Sequence, residues 1–122
     1  MPHIVIETSQ DIQLKQPNVL LQAINESLWQ TGEFENATAI KSHIRQASHS
    51  LVGITTGEDS FISVQFYLMS GRNDTTKADL ISRIFDSIVH HVKHIERLDT
   101  AQKLQITINT TELSHQYVKQ SI

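Results

Sequence analysis

Chemistry in this sequence starts at its second residue. Pro2 directly follows Met1 and opens the run Pro2-His3-Ile4-Val5-Ile6-Glu7. A small residue behind the initiator favours removal of Met1, and removal would expose a secondary amine. An ordinary α-amino group titrates at about 8. Apolar surroundings and neighbouring cations both disfavour its charged form, so such surroundings bring the amine towards neutrality. An amine in that range is unprotonated yet basic enough to take a proton, which makes Pro2 a candidate general base. Its rigid ring would aim the lone pair. The plainer reading is a strand-start proline with no chemical role, and the residue pattern by itself favours that reading.

The second group is cationic. Lys41, His43 and Arg45 alternate and so share one face of an extended strand. Arg72 follows Gly71, directly after the most regular alternating run of the chain. Cations in these places can bind carboxylates or polarise a dienol oxygen. A solvated basic edge that discourages strand pairing is the plain alternative. The third group is His90, His91 and His94. His90 and His94 have the i, i+4 spacing of a helical zinc pair. No third ligand and no HExxH-type acid accompanies them, and the apolar stripe lies on the other side of that helix. The expectation is a solvated helix face with no dedicated metal site. P-loop, GxGxxG and GxSxG motifs are absent.

These residues need elements to position them. His3 to Thr8 alternates as a strand, with Ile4 and Ile6 on one side. Pro17 suits the first turn of a helix, where its missing N–H costs nothing. Leu20, Leu21, Ile24 and Leu28 then recur at helical spacing over about 18–30, and Gly32 is a natural stop. Alternation returns over 40–48. Ser50 to Asp59 contains two glycines and reads as a turn, and Phe61 to Met69 is the strongest strand. After Ser70-Gly71-Arg72-Asn73-Asp74 a second helix is expected, capped by Asp74 or a neighbouring threonine. Its stripe is Ile81, Ile84, Phe85, Ile88, Val92 and Ile95. Leu104, Ile106 and Ile108 form a last strand, followed by a mixed tail from Leu113 to Ile122. The order β-α-β-β-α-β predicts an α+β fold: a four-stranded sheet with both helices on one face. The opposite face carries Phe61, Tyr67 and Met69 among polar residues, and oligomerisation is the simplest way to cover it.

Composition narrows the partners. The 122 residues, 39% hydrophobic and 19% charged, are expected to form one domain over 1–122. With no cysteine, disulfides, thiolate nucleophiles and Cys-based metal sites are excluded. The formal net charge of -3 draws the chain to neither nucleic acid nor an anionic membrane. No apolar run is long enough to span a bilayer and no signal-peptide pattern is visible, so the expected compartment is the cytoplasm.

Taken in register, three features resemble the tautomerase superfamily, and within it the 5-carboxymethyl-2-hydroxymuconate Δ-isomerases. They are the opening Met1-Pro2-His3 leading into a strand, the segment Thr31-Gly32-Glu33-Phe34 after the first helix, and Ser70-Gly71-Arg72 before the second. The resemblance implies a homotrimer with its sheets facing the centre and active sites near the protomer contacts. It implies Pro2 as a general base that moves a proton on a small carboxylated 2-hydroxy or 2-oxo acid, without metal or organic cofactor. It also implies Arg72 as a substrate-binding group. The isomerases commonly carry Arg-x-Arg on the strand that here presents Lys41 and His43. Lysine keeps charge but loses the two-pronged grip on a carboxylate, and histidine is charged only when protonated. Arg45, two residues on, shares their face and is the candidate to compensate, so a changed substrate is expected. Two alternatives stand beside this reading. One is a non-catalytic ligand-binding or assembly module of the same plan. The other is a superfamily decarboxylase or hydratase that uses a protonated Pro2.

Overall fold

The structure, a computed structural model, describes residues 1–57, 59–98, 103–114 and 116–122. Of the expected turn at Ser50 to Asp59 and the tail from Leu113 to Ile122, Glu58 and His115 lie outside the described residues. Strand β1 (His3–Thr8) buries Ile4, Ile6 and Thr8 while its alternate residues stay half-buried. That period of two is the pleat read directly from sequence. Helix α1 (Pro17–Trp29) begins on its proline and turns Leu20, Ile24 and Leu28 inward. Strand β2 (Lys41–Gln46) follows a short turn of 3-10 helix at Ala37–Ala39. Strand β3 (Ser60–Met69) alternates buried and half-buried along its whole length. Helix α2 (Asp74–His90) and strand β4 (Leu104–Leu113) complete the chain.

The four strands form one sheet in the order β2-β1-β3-β4. β1 pairs with β2 in parallel and β3 with β4 in parallel, while the two central strands run antiparallel. Each parallel pair needs a long crossover, and α1 and α2 supply the two. The chain is thus two β-α-β units joined through the β1–β3 contact. Ile4 lies opposite Phe66 and Ile6 opposite Val64, all four fully buried beneath the helices with Leu20, Ile24, Leu80 and Ile84. Burying one such side chain contributes about 1.5–3 kcal/mol, so this double layer is what fixes the strand register.

The second helix departs from its expected face in three ways. Leu80, Ile84 and Ile88 form the buried ridge, and Phe85 is 39% exposed. The i, i+4, i+8 row meets the sheet, and Phe85 sits one position round from it. The N-cap is Asn73, whose Oδ1 accepts from the Thr76 N–H at 2.8 Å, leaving Asp74 in the first turn where its charge suits the helix dipole. Finally, α2 widens into a π-helical turn at His91–Ile95.

That turn corrects the expectation for the histidines. His90 and His94 do face solvent, with ring centroids 4.9 Å apart. His91, however, is buried, and its Nε2 lies 2.8 Å from Glu96 Oε2. The Glu96 oxygens also accept from the backbone N–H groups of Lys15 and Gln16, each at 2.8 Å. Gln16 caps α1 without a side-chain bond of its own. The carboxylate therefore ties the end of α2 to the start of α1. Burial pushes the Glu96 carboxyl up, but the donors of Lys15, Gln16 and His91 outweigh it and hold it below the usual carboxylate range. Among the described residues, no three His, Asp or Glu side chains converge as a metal site, and no helix is long and apolar enough to cross a membrane.

Candidate active site

The inner strand β1 is paired from its first residues. Lys41 N–H donates to the Pro2 carbonyl at 3.1 Å, in line with the His3–Lys41 register, and Pro2 is buried. The terminal amine, here on Met1, is held below its ordinary value of 8.0 by partial burial and then by the cations Lys41, Lys119 and Arg72. Three distant stretches thus converge electrostatically on the amine: the start of β2, the loop after β3, and the C-terminal tail. Lys119 escaped sequence reading, because a lysine in a tail without periodicity carries no signal of where it packs.

Arg72 is held from several sides. Gly71 has φ +117, a backbone conformation that other residues rarely adopt, and this turn directs the chain away from the end of β3. The Arg72 Nη2 donates to the Glu33 carbonyl at 3.0 Å, and its Nε lies 3.6 Å from Glu33 Oε2. Its guanidinium carbon sits 4.9 Å from the Phe34 ring centroid, a cation–π contact. Phe34 is itself buried, and Gly32, at φ +76, ends the preceding helix so that 33 and 34 can turn towards Arg72. The Arg72 side chain is only 21% exposed, and its Nε is buried without a hydrogen-bond partner.

The remaining cations lie along the open face of the sheet. His43 meets the His3 ring edge-on at 5.4 Å. The His3 imidazole is pushed down by burial and by His43, Lys41 and the terminal amine. Arg45 stands beside Glu7, at 4.0 Å, with both side chains well exposed. It is four residues beyond Lys41, about 13 Å along a strand, so within one protomer it is not at the amine. Lys41 and Arg72 both act on the terminal amine through charge, His43 is next along β2, and Arg45 is at the far end. A groove of about 660 Å³ between the helices, lined by Val19, Ser27, Asp79, Arg83, Ser87 and His90 among others, contains none of these groups.

Two β-α-β units sharing one mixed sheet, with a buried proline and clustered cations at a strand edge, define a tautomerase-type fold. A family model described as 5-carboxymethyl-2-hydroxymuconate isomerase matches residues 2–121. The chain belongs to that family and is an isomerase of the tautomerase class. No curated protein matches the sequence. Among solved structures, it is similar to a 5-carboxymethyl-2-hydroxymuconate isomerase from Deinococcus radiodurans R1, with TM-score 0.80 and 18% identity over 98% of this chain and 88% of that one. A 5-carboxymethyl-2-hydroxymuconate delta-isomerase aligns with TM-score 0.74 and 14% identity, over 99% and 88% of the two chains. A fused 4-OT described as a symmetric trimer aligns with TM-score 0.61 and 16% identity, over 90% and 85%. At these identities the likeness is one of fold.

Proposed function

We propose that the mature chain, after loss of Met1, is a cofactor-independent isomerase in which the Pro2 nitrogen shuttles a proton on a small carboxylated 2-hydroxy or 2-oxo acid. The proton leaves an enolic oxygen or a carbon and returns to a different carbon. Atoms balance without any carrier, and the nitrogen ends as it began. Arg72 binds a carboxylate or the 2-oxygen, where charge builds up, and Lys41 holds another anionic group. His43 assists from the strand face. Arg45 acts only if assembly brings it to the pocket of a neighbouring protomer.

One observation carries this reading: a buried Pro2 next to an amine that burial, Lys41, Lys119 and Arg72 all push towards its neutral form. Removal of Met1 would put the amine on the buried Pro2, where burial disfavours its charged form. An amine depressed in this way favours the base role over a protonated, acidic proline. A homotrimer is the proposed assembly. It is supported by the half-buried open sheet face, which no helix covers, and by the symmetric trimer among the structures of this fold.

Mass spectrometry of protein from its native host tests the first requirement, since retained Met1 defeats the mechanism. Turnover of 2-hydroxymuconate or phenylenolpyruvate then compares wild type with Pro2→Ala. The expected loss is about 10²-fold or more, the scale of a positioned acid–base group. Equal turnover by both proteins refutes the proposal and favours a non-catalytic binding module.

A further inference from the structure

Lys119 is a cation that the proposed chemistry leaves unused. The strand registers bring its segment to the site. Lys41 opens β2 opposite His3, the first residue of β1. β1 and β3 are antiparallel, so the residues before His3 run towards the end of β3. There Met69, the last residue of β3, lies opposite Leu113, the last residue of β4. The starts of β1 and β2 and the ends of β3 and β4 therefore meet at one end of the sheet. Arg72 leaves that end from β3, and the tail leaves it from β4. Two strand spacings, about 10 Å, separate β4 from β1. Lys119 stands six positions beyond Leu113, a reach of up to about 20 Å. A turn bends the tail out of the strand direction: Tyr117 N–H donates to the Ser114 carbonyl and Gln116 N–H to Ser114 Oγ, each at 3.3 Å. Lys119 then acts through charge on the terminal amine, together with Lys41 and Arg72. It is exposed, and among the described residues no carboxylate lies within ion-pair distance of it.

We propose that Lys119 is a substrate-binding residue supplied by the tail, holding a third anionic group on substrates that carry one carboxylate more than Lys41 and Arg72 engage. The proposal rests on the reading of Lys41 and Arg72 as the anion-holding pair. The three cations arrive from three different strands, the start of β2 and the ends of β3 and β4. A small acid with its reacting carbon at the amine can turn one anionic arm to each. Arg72 is fixed by the Glu33 carbonyl and the Phe34 ring, so it sets the position of the arm it holds. Lys119 is different: its flexible four-carbon stem lets the ammonium follow an arm that reaches outwards. An exposed ion pair of this kind contributes up to about fivefold in affinity. That is enough to favour a substrate with the extra carboxylate, while the remaining affinity comes from Lys41 and Arg72.

The probes are fumarate and trans-aconitate, which share a trans-butenedioate skeleton and differ by one carboxymethyl group. Both are titrated by NMR into wild-type and variant protein at low salt. Lys119→Met should weaken trans-aconitate by about fivefold and fumarate by less than about twofold, and the difference should shrink as salt is added. Lys119→Arg keeps the charge and should keep the preference. Lys103 is the control for net charge, since its carbonyl accepts from Ser60 N–H at the opposite end of the sheet. Lys103→Met should leave the ratio of the two affinities unchanged. An equal loss for both anions in Lys119→Met would mean that Lys119 acts on the amine alone, and it overturns the proposal. So does the same change in ratio from Lys103→Met, or no binding of trans-aconitate to the wild type. The readout is binding, which keeps it apart from the proline mechanism. Normal turnover by Pro2→Ala would remove that mechanism, and the affinity ratio would still decide the role of Lys119.

Discussion

Replacement of Glu96 by alanine should be among the most costly single changes outside the hydrophobic core. The carboxylate accepts three hydrogen bonds, from His91 and from the backbones of Lys15 and Gln16, all at 2.8 Å. The two side chains of the pair are 1% and 2% exposed. In the variant the buried His91 ring nitrogen loses its partner, at about 1–3 kcal/mol. The two backbone donors belong to exposed residues and regain water, so each loses only the net worth of its bond, about 1 kcal/mol. The sum is about 3–5 kcal/mol, within the range measured for breaking buried pairs. A chain of this size loses about 4 °C of Tm per kcal/mol, so Tm should fall by about 12–20 °C. Circular dichroism melts and urea titrations at neutral pH measure it. The pH dependence has a definite sign. The Glu96 value is lower in the folded than in the unfolded state, so its contribution is complete above the ordinary carboxylate range and lost as pH falls through the folded value. The gap between wild type and variant should therefore narrow in acid. A Tm change below about 3 °C, or a gap independent of pH, would refute the picture of a carboxylate clamping the two helices.

The activity of the mature enzyme should show an acid limb. In the proposed mechanism the Pro2 amine works unprotonated, so kcat/KM is maintained at neutral pH and falls as that amine protonates; the amine at this end of the chain, on Met1, is held below 8.0 by burial and by Lys41, Lys119 and Arg72. A rate that rises as pH drops would instead indicate a protonated proline acting as acid. Lys41→Met removes a cation that disfavours the ammonium form, so the acid limb should move to higher pH in a pH–rate profile. Arg72→Ala should cost about 10²-fold in kcat/KM. Arg72→Lys should recover only part of this, because an ammonium lacks the planar fork and stacks poorly on Phe34. Asp11→Ala should cost about 1–2 kcal/mol in urea unfolding, because Ser9 and Ser60 both donate to this carboxylate where β1 and β3 meet.

Much of the fold is written in short-range pattern. Ile4 and Ile6, and the run from Ile62 to Leu68, alternate with the pleat. Leu20, Ile24 and Leu28 recur with the helix. Those periods are local, and each element can be read within its own window. From the order of elements follow the two crossovers and the helices on one face. Pro2, Lys41 and Arg72 could be singled out because their residue types are chemically unusual where they stand.

Long-range contacts carry no such signature. The pairing of β1 between β2 and β3 is a choice among partners that local alternation leaves open. Leu80 and Phe85 both fit a helical stripe, and only the sheet beneath selects the row that contains Leu80. His91 looks like its solvent-facing neighbours until the π-helical turn carries Glu96 to the start of α1, some 80 residues back along the chain. Glu33 at Arg72 and Lys119 near the amine are encounters of the same kind. Sequence alone determines which residues are capable of chemistry and which local shapes they adopt. The tertiary structure decides which of them meet, because a charge acts through distance and burial, and neither is defined until the chain has packed.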